Sequence, residues 1–319
     1  MLLGNADYGP VMPILSTTDL NVSRLCLGGN VFGWTADEDQ SFAVLDAYVD
    51  AGGNFLDTAD VYSAWADGNS GGESETIIGR WLARRTDRDR IVVATKVGML
   101  AGFNNQKRDT VLASAERSLK RLGVDHIDLY YNHLDDPNTP LEETLAAYDQ
   151  LVRDGKVRHI AASNFSAARL QQALEIQERE GFAKFVALQP EYNLVSRAQF
   201  EGELQETVAK HNLATVPYWS LAKGFLTGKY RPGVEVRSAR ATAASKYLDE
   251  HGLQVLEVLD ELAETHETTV ASVALAWLAQ QPTVAAPIAS ARTLEQLSDL
   301  VPLLTLELSQ AEVDRLSAI

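Results

Sequence analysis

Eight short apolar runs recur along this chain, each closing on polar or small residues. They are SRLCLGG (23–29), NFLDTA (54–59), IVVATK (91–96), IDLYYN (127–132), VRHIAAS (157–163), FVALQP (185–190), LATVPY (213–218) and VAAPIA (284–289). Most lack an inside–outside alternation, which is the pattern of strands buried on both faces of a parallel sheet. Helical segments lie between them. In DTVLASAERSLKRLG, Asp109 is the expected N-cap and Gly123 the stop; Val111, Leu112, Ala115, Leu119 and Leu122 make one apolar stripe, and Glu116 and Lys120 are placed to pair. In TPLEETLAAYDQLVRDGK, Thr139 is read as a cap, Pro140 suits the first turn, Glu142 completes a capping box and Gly155 ends the helix. Eight strand–helix units imply an α/β fold closed as a (β/α)8 TIM barrel, which takes about 250 residues. No Pro/Gly/Ser-rich linker divides the chain, so residues 1–319 are expected to form a single domain. An open doubly wound sheet would need G-x-G-x-x-G after the first strand, and GGNVFGW has its glycines wrongly spaced. MPILSTTDLNV, ahead of the first unit, reads as an N-terminal β-hairpin able to plug the barrel's bottom. Long inserts follow the second strand (60–73), the third (97–108) and the seventh (219–246), on the face where such barrels place their active sites.

Charge and composition narrow the function. With 44 acidic against 28 basic side chains the formal net charge is −16. That argues against nucleic acid or an anionic membrane surface as partner. No run approaches the ~20 apolar residues of a membrane helix, and the N-terminus lacks a basic flank before an apolar stretch. A cytoplasmic location is therefore expected. A lone cysteine, Cys26, excludes an internal disulfide framework and a multi-cysteine metal site; no metal is expected. Oligomeric state is left open, because exposed apolar faces read like core.

The strand ends carry an unusual polar set. Asp57 ends the second strand, Lys96 the third; His133 follows the fourth, Ser163 and Asn164 the fifth; Gln189 ends the sixth and Tyr218 the seventh. In a barrel these positions ring one mouth. Tyr62 follows Asp57 by one turn's worth of chain. A phenol of ordinary pKa, about 10, donates a proton poorly near neutrality. An adjacent ammonium would lower that value, a carboxylate would keep the ammonium charged and oriented, and a histidine would position a carbonyl oxygen. The set suits proton transfer coupled to reduction of a C=O group. It contains no nucleophile–base pair for acyl transfer and no ligand cluster with metal spacing.

These residues, in their spacing, resemble the aldo-keto reductase superfamily. NFLDTADVYSAWADGNSGGESETIIG resembles that family's signature around its Asp and Tyr; VVATKVG is similar to its lysine strand and DLYYNHLDDP to its histidine strand. IAASNFS, ALQPEYNLVSR, VPYWSLAKGFLTGKY and APIASARTLEQL resemble its cofactor-binding segments in order, so that the likeness runs from about residue 13 to 317. The resemblance implies a barrel that reduces aldehydes and ketones, with NADPH (NADP+) favoured over NADH. It makes Asp57, Tyr62, Lys96 and His133 the catalytic tetrad, with Tyr62 the general acid. It places Ser163, Asn164 and Gln189 on the nicotinamide carboxamide, Tyr218 under the nicotinamide ring, and Leu221, Lys223 and Lys229 on the pyrophosphate. Arg292 and Gln296 fall to the adenosine 2′-phosphate, and Gly29 and Asn30 beside the cofactor. Trp219 and Leu300 depart from the family pattern, which usually has a small polar residue at the first position and an asparagine at the second.

Without a long C-terminal loop, the substrate wall is expected from the inserts, with Phe32, Trp34, Trp65, Phe103 and Trp219 as candidates. Such aromatics fit a sugar or a hydrophobic ketone equally. The partner is thus a small-molecule carbonyl or alcohol. The competing reading keeps the barrel and cofactor in a regulatory or redox-sensing subunit. A Schiff-base role for Lys96 is opposed by neighbours that would keep it charged.

Overall fold

The computed structural model describes residues 14–319. Each apolar run contains a strand: β1 (Cys26–Gly28), β2 (Phe55–Asp57), β3 (Val92–Val97), β4 (Ile127–Asn132), β5 (Val157–Ser163), β6 (Phe185–Gln189), β7 (Ala214–Thr215) and β8 (Ile288–Ala289). All neighbours pair in parallel, in the order β7-β6-β5-β4-β3-β2-β1-β8. The two ends of that order meet through a parallel bridge between Thr215 and Val284. There the Thr215 N–H donates to Thr283 O at 2.7 Å and the Ala285 N–H to Thr215 O at 2.9 Å. The sheet is thereby closed as a (β/α)8 barrel. Sequential strands are joined by helices such as Glu38–Asp50, Glu73–Leu82, Arg108–Leu122, Leu141–Arg153 and Ala167–Glu180; two, Glu250–Thr265 and Val270–Ala279, precede β8.

Two apolar layers account for the missing alternation. Leu27, Leu56, Val93, Tyr130, Ile160, Ala162 and Leu188 face outward into the layer shared with the helices. Cys26, Phe55, Val92, Ala94, Leu129, Tyr131, Ala161, Ala187, Ala214, Val216, Ala286 and Ile288 fill the barrel's interior. Successive side chains on a strand point to opposite faces. The next inward positions toward the C-terminal end are therefore Gly28, Asp57, Lys96, His133, Ser163, Gln189, Tyr218 and Ser290. The polar ring is the top layer of the same stack whose lower layers are alanine, phenylalanine and tyrosine. The N-terminal end is closed by the hairpin: Ile14 and Asn21 pair antiparallel, the Leu15 N–H donates to Leu20 O at 2.9 Å, and Leu15, Leu20 and Val22 join the interior cluster. Met12 and Pro13 of the expected hairpin lie outside the described residues.

Helix ends differ from expectation in detail. The Arg108–Leu122 helix begins after Lys107, two residues earlier than an Asp109 cap requires, and has no side-chain cap; Gly123 ends it in the left-handed conformation, φ 65°. The Leu141–Arg153 helix begins after Pro140, whose side chain offers no acceptor, and Thr139, one residue too early to cap it, donates its hydroxyl to Asp136 Oδ2 at 2.6 Å. Glu116 pairs with Lys156 rather than Lys120. Only for Glu116 does a tertiary partner displace the local one; Thr139 turns to Asp136, three residues before it.

Truncation of the two ends of the interior stack should be separable. Leu20→Ala, at the plug, is expected to cost about 2–5 kcal/mol of unfolding free energy. Phe55→Ala, directly beneath Asp57, is expected to cost about 3–5 kcal/mol and also to loosen the Asp57–Lys96 contact. Urea unfolding of both variants, with the midpoint and slope fitted together, checks this.

Candidate active site

β2 and β3 carry the centre of the site. Lys96 is fully excluded from solvent. Its Nζ donates to Asp57 Oδ1 at 2.6 Å, to the Thr58 carbonyl at 2.8 Å and to Tyr62 Oη at 3.0 Å. Three donors meet three acceptors, so the buried ammonium is saturated. The turn after β2 brings Tyr62 back over the mouth, where its hydroxyl donates to Asp57 Oδ1 at 3.2 Å. Asp57 Oδ2 accepts from Gln189 Nε2 at 2.9 Å, a bond across the barrel from β6. His133 follows β4, its ring edge-on to Tyr62 with centroids 6.2 Å apart. Its Nδ1 is buried without a hydrogen-bond partner among the described residues.

Burial sets the protonation of this group. Burial, reinforced by the Asp57 carboxylate, pushes the Tyr62 phenol well above its ordinary value. The lowering expected from Lys96 is thus outweighed, and the phenol keeps its proton through neutral pH. Burial pushes the Lys96 ammonium down, against the upward pull of Asp57. Burial and then the charge of Lys96 hold His133 well below the ordinary histidine range, so its ring is neutral. Asp60, three residues after Asp57, is buried with both carboxylate oxygens unpartnered among the described residues; burial and the charge of Glu75 raise it to about 7.

Above the ring opens a cavity of about 740 Å³. Asp57, Tyr62 and His133 lie at one part of it, with Asn30, Ser163, Asn164, Gln189, Tyr218, Leu221, Lys223, Lys229, Arg292 and Gln296 around the rest. Trp34, Trp65 and Trp219 also line it; Leu300 and Asp299 stand near Gln296. Asn164 holds the β5 and β7 ends together, donating to His133 O at 2.9 Å and accepting from the Tyr218 hydroxyl at 2.8 Å. Ser163 donates to Gln189 O at 2.9 Å. After β7 the backbone turns sharply: Trp219, Ala222 and Lys223 all take left-handed conformations, with φ of 50°, 48° and 60°. Such residues cost of order 1 kcal/mol each and persist only when fixed by their surroundings. Here Asn193 Nδ2 donates to Trp219 O at 3.0 Å and Ser220 Oγ to Pro217 O at 2.9 Å.

Three expected residues stand elsewhere. Phe32 is wholly buried in the outer layer. Phe103 lies under the Arg117 guanidinium, 4.2 Å from its ring centroid, away from the cavity. Gly29 has the outward parity: its carbonyl accepts from Ser74 Oγ at 2.8 Å, and Gly28 lines the cavity instead. Residues that sequence reasoning passed over include Met99, Leu134, Ser290 and Arg240. Ser290 has the signal of strand parity, two residues beyond the inward Ile288. Arg240 has none, since RSARATA reads as ordinary surface loop. Among the described residues no cluster of three metal-ligating side chains occurs, and no helix is long and apolar enough to cross a membrane.

Comparison with known proteins agrees with this geometry. A model of the aldo/keto reductase family matches residues 24–319. An uncharacterized oxidoreductase of Bacillus subtilis, YrpG, is 36% identical over 308 residues, covering 93% of this chain and 91% of its own. Norsolorinic acid reductase stcV of Emericella nidulans is 32% identical, covering 92% of this chain and 77% of its own. A probable voltage-gated potassium channel subunit beta of Oryza sativa subsp. japonica is 32% identical over 96% of this chain and 95% of its own. With a closed parallel barrel, a saturated Lys–Asp–Tyr cluster at its C-terminal mouth and a family match over nearly its whole length, the chain belongs to the aldo/keto reductase family.

Proposed function

We propose that this protein is an NADPH-dependent reductase of aldehydes or ketones in which Tyr62 delivers the proton. The observation that carries the reading is the Tyr62 hydroxyl, held by Lys96 at 3.0 Å and Asp57 at 3.2 Å at the floor of the cavity. The cavity's residues fit an extended anionic dinucleotide. Ser163, Asn164, Gln189 and Tyr218 offer amide, hydroxyl and ring contacts beside the tetrad, while Lys223, Lys229 and Arg292 line the same cavity as cations without an ion pair among the described residues. When bound, the cofactor would supply the hydride.

The remaining chemistry belongs to the chain. His133, neutral, donates to the carbonyl oxygen and points it at Tyr62. As negative charge develops on that oxygen, the phenol proton moves to it, and the ammonium of Lys96 stabilises the phenolate left behind. Asp57 holds the ammonium in place, and Gln189 holds Asp57. The carbonyl gains one hydride and one proton to become the alcohol. A second reading, a cofactor-holding subunit of a larger assembly, is favoured by the printed name of the rice relative. Tight NADPH binding without turnover of any aldehyde, ketone or alcohol in a broad panel would select it.

Tyr62→Phe should lower kcat by about 10²–10⁴-fold with little change in NADPH Kd; full activity in that variant would refute the acid assignment. Arg292→Ala should weaken NADPH by about tenfold or more and leave NADH nearly unchanged, as read by fluorescence titration. For His133 the folded-state value lies below the unfolded one. Its contribution to stability is therefore intact above about pH 6.5 and is lost as pH falls below it. Because Asp60, raised to about 7, acts in the opposite direction in both proteins, the check is the difference: the stability of wild type relative to His133→Gln should fall as pH goes from 8 to 5.

A further inference from the structure

Asp60 plays no part in the chemistry above, yet its place is close to it. It stands three residues after Asp57 and two before Tyr62, and is 1% exposed. It is also the last residue of that stretch bonded to the neighbouring strand. The Thr58 N–H donates to Ala94 O at 2.8 Å and the Asp60 N–H to Lys96 O at 3.2 Å. The next bond, from the Tyr62 N–H to Ala59 O at 3.1 Å, stays within the turn. On the other side Gly71, with φ 97°, passes so close that a side-chain carbon on it would lie 2.8 Å from Asp60 O. The turn that carries the phenol is thus seated on β3 at Asp60. The Asp60 carboxyl itself has no hydrogen-bond partner among the described residues. Glu75, fully buried nearby, is satisfied: Oε1 accepts from the Thr95 hydroxyl and Oε2 from Arg121 Nε, each at 2.6 Å.

We propose that Asp60 is a positioning residue for Tyr62: the proton on its carboxyl decides whether the turn that carries the phenol stays seated on β3. This rests on the reading of Tyr62 as proton donor and adds a control over its placement. A buried carboxylate without donors is costly, and a second carboxylate close by adds to the cost. Burial and then the charge of Glu75 accordingly raise Asp60 to about 7, against the pull of Arg121 and Arg117. The charged and titratable groups around it come from every packed element. Glu75 belongs to the Glu73–Leu82 helix, Lys96 to β3, Arg117 and Arg121 to the Arg108–Leu122 helix, Tyr130 to β4 and Tyr148 to the Leu141–Arg153 helix. None of them gives the carboxyl a hydrogen bond. Neutral, Asp60 can remain in this pocket. Ionised, it is repelled by Glu75 and drawn toward water, which it reaches by unseating its own turn. Tyr62 is two residues away and moves with it. The folded value lies above the unfolded one of about 3.9. Stability relative to a residue that cannot ionise therefore falls as pH rises between the two values and levels off above about 7.

Trp65 reports on the turn, because its ring centroid is 6.2 Å from that of Tyr62. The full-length protein, with and without NADP+, is followed by tryptophan fluorescence from about pH 5 to about pH 9. Wild type should show a transition near pH 7 that is lost in both Trp65→Phe and Asp60→Asn. Glu75→Gln should move its midpoint down by on the order of one pH unit. With NADPH and a carbonyl substrate, wild-type kcat should fall by roughly tenfold as pH rises across the same midpoint, and Asp60→Asn should remove that fall. Circular dichroism should show the variants folded. Absence of the transition in wild type overturns the inference without any variant. So does a transition that persists in Asp60→Asn, or a fall in kcat that Asp60→Asn leaves in place. If the transition behaves as expected while no carbonyl or alcohol is turned over, Asp60 keeps its control of the turn and the reductase reading falls.

Discussion

A charged lysine inside a closed barrel is the constraint on which the remaining structure turns. Desolvating an ammonium costs several kcal/mol even after relaxation, and only complete pairing offsets it. Lys96 achieves this with a carboxylate, a backbone carbonyl and a phenol, all supplied by β2 and the turn that follows. The β2–β3 register, Asp57 beside Ala94, is therefore fixed by charge as well as by apolar packing. Loss of any one partner would leave a buried cation short of an acceptor, so the features that make the site reactive are also features that hold its geometry. The same saturation leaves the lysine no free position for covalent chemistry with a carbonyl.

Chemistry and recognition are divided between strands and loops. The inward residues of successive strands are rigid, because each sits above a packed layer: Asp57 on Phe55, Lys96 on Ala94, His133 on Tyr131, Tyr218 on Val216. The outer wall of the cavity comes from Trp34, Trp65, Met99 and Leu134, all in connecting segments. A loop can change without disturbing the tetrad.

The eight strands were readable because each is apolar on both faces and bounded by polar residues, and β4 and β5 match their runs residue for residue. That Asp57, Lys96 and His133 would meet at one mouth was readable because strand ends converge there and a lysine closing IVVAT needs a buried partner. Helix ends were not, since Thr139 turns back to Asp136 in the preceding turn and Glu116 answers to Lys156, distant in the chain. Phe103 and Phe32 could not be separated from Trp34 and Trp65, because a loop aromatic carries no mark of which way it turns. The phenol's proton affinity was misjudged for a related reason: burial, which outweighs the ammonium, is a property of the folded shell.

At the level where other strands present Asp57, Lys96, His133, Ser163, Gln189, Tyr218 and Ser290, β1 presents only the hydrogen of Gly28. A carbon there would fall 2.5 Å from Ser290 Oγ and 3.0 Å from Ile288 Cγ2, so the gap cannot be filled without moving β8 side chains. The rim of the mouth consequently has one low side, between β8 and the rest, next to the Ser290–Asn30 hydrogen bond of 2.8 Å. A ring with a notch is no longer symmetric. The cavity is therefore lower at β1, beside β8, than at the neighbouring strands that raise polar side chains into it.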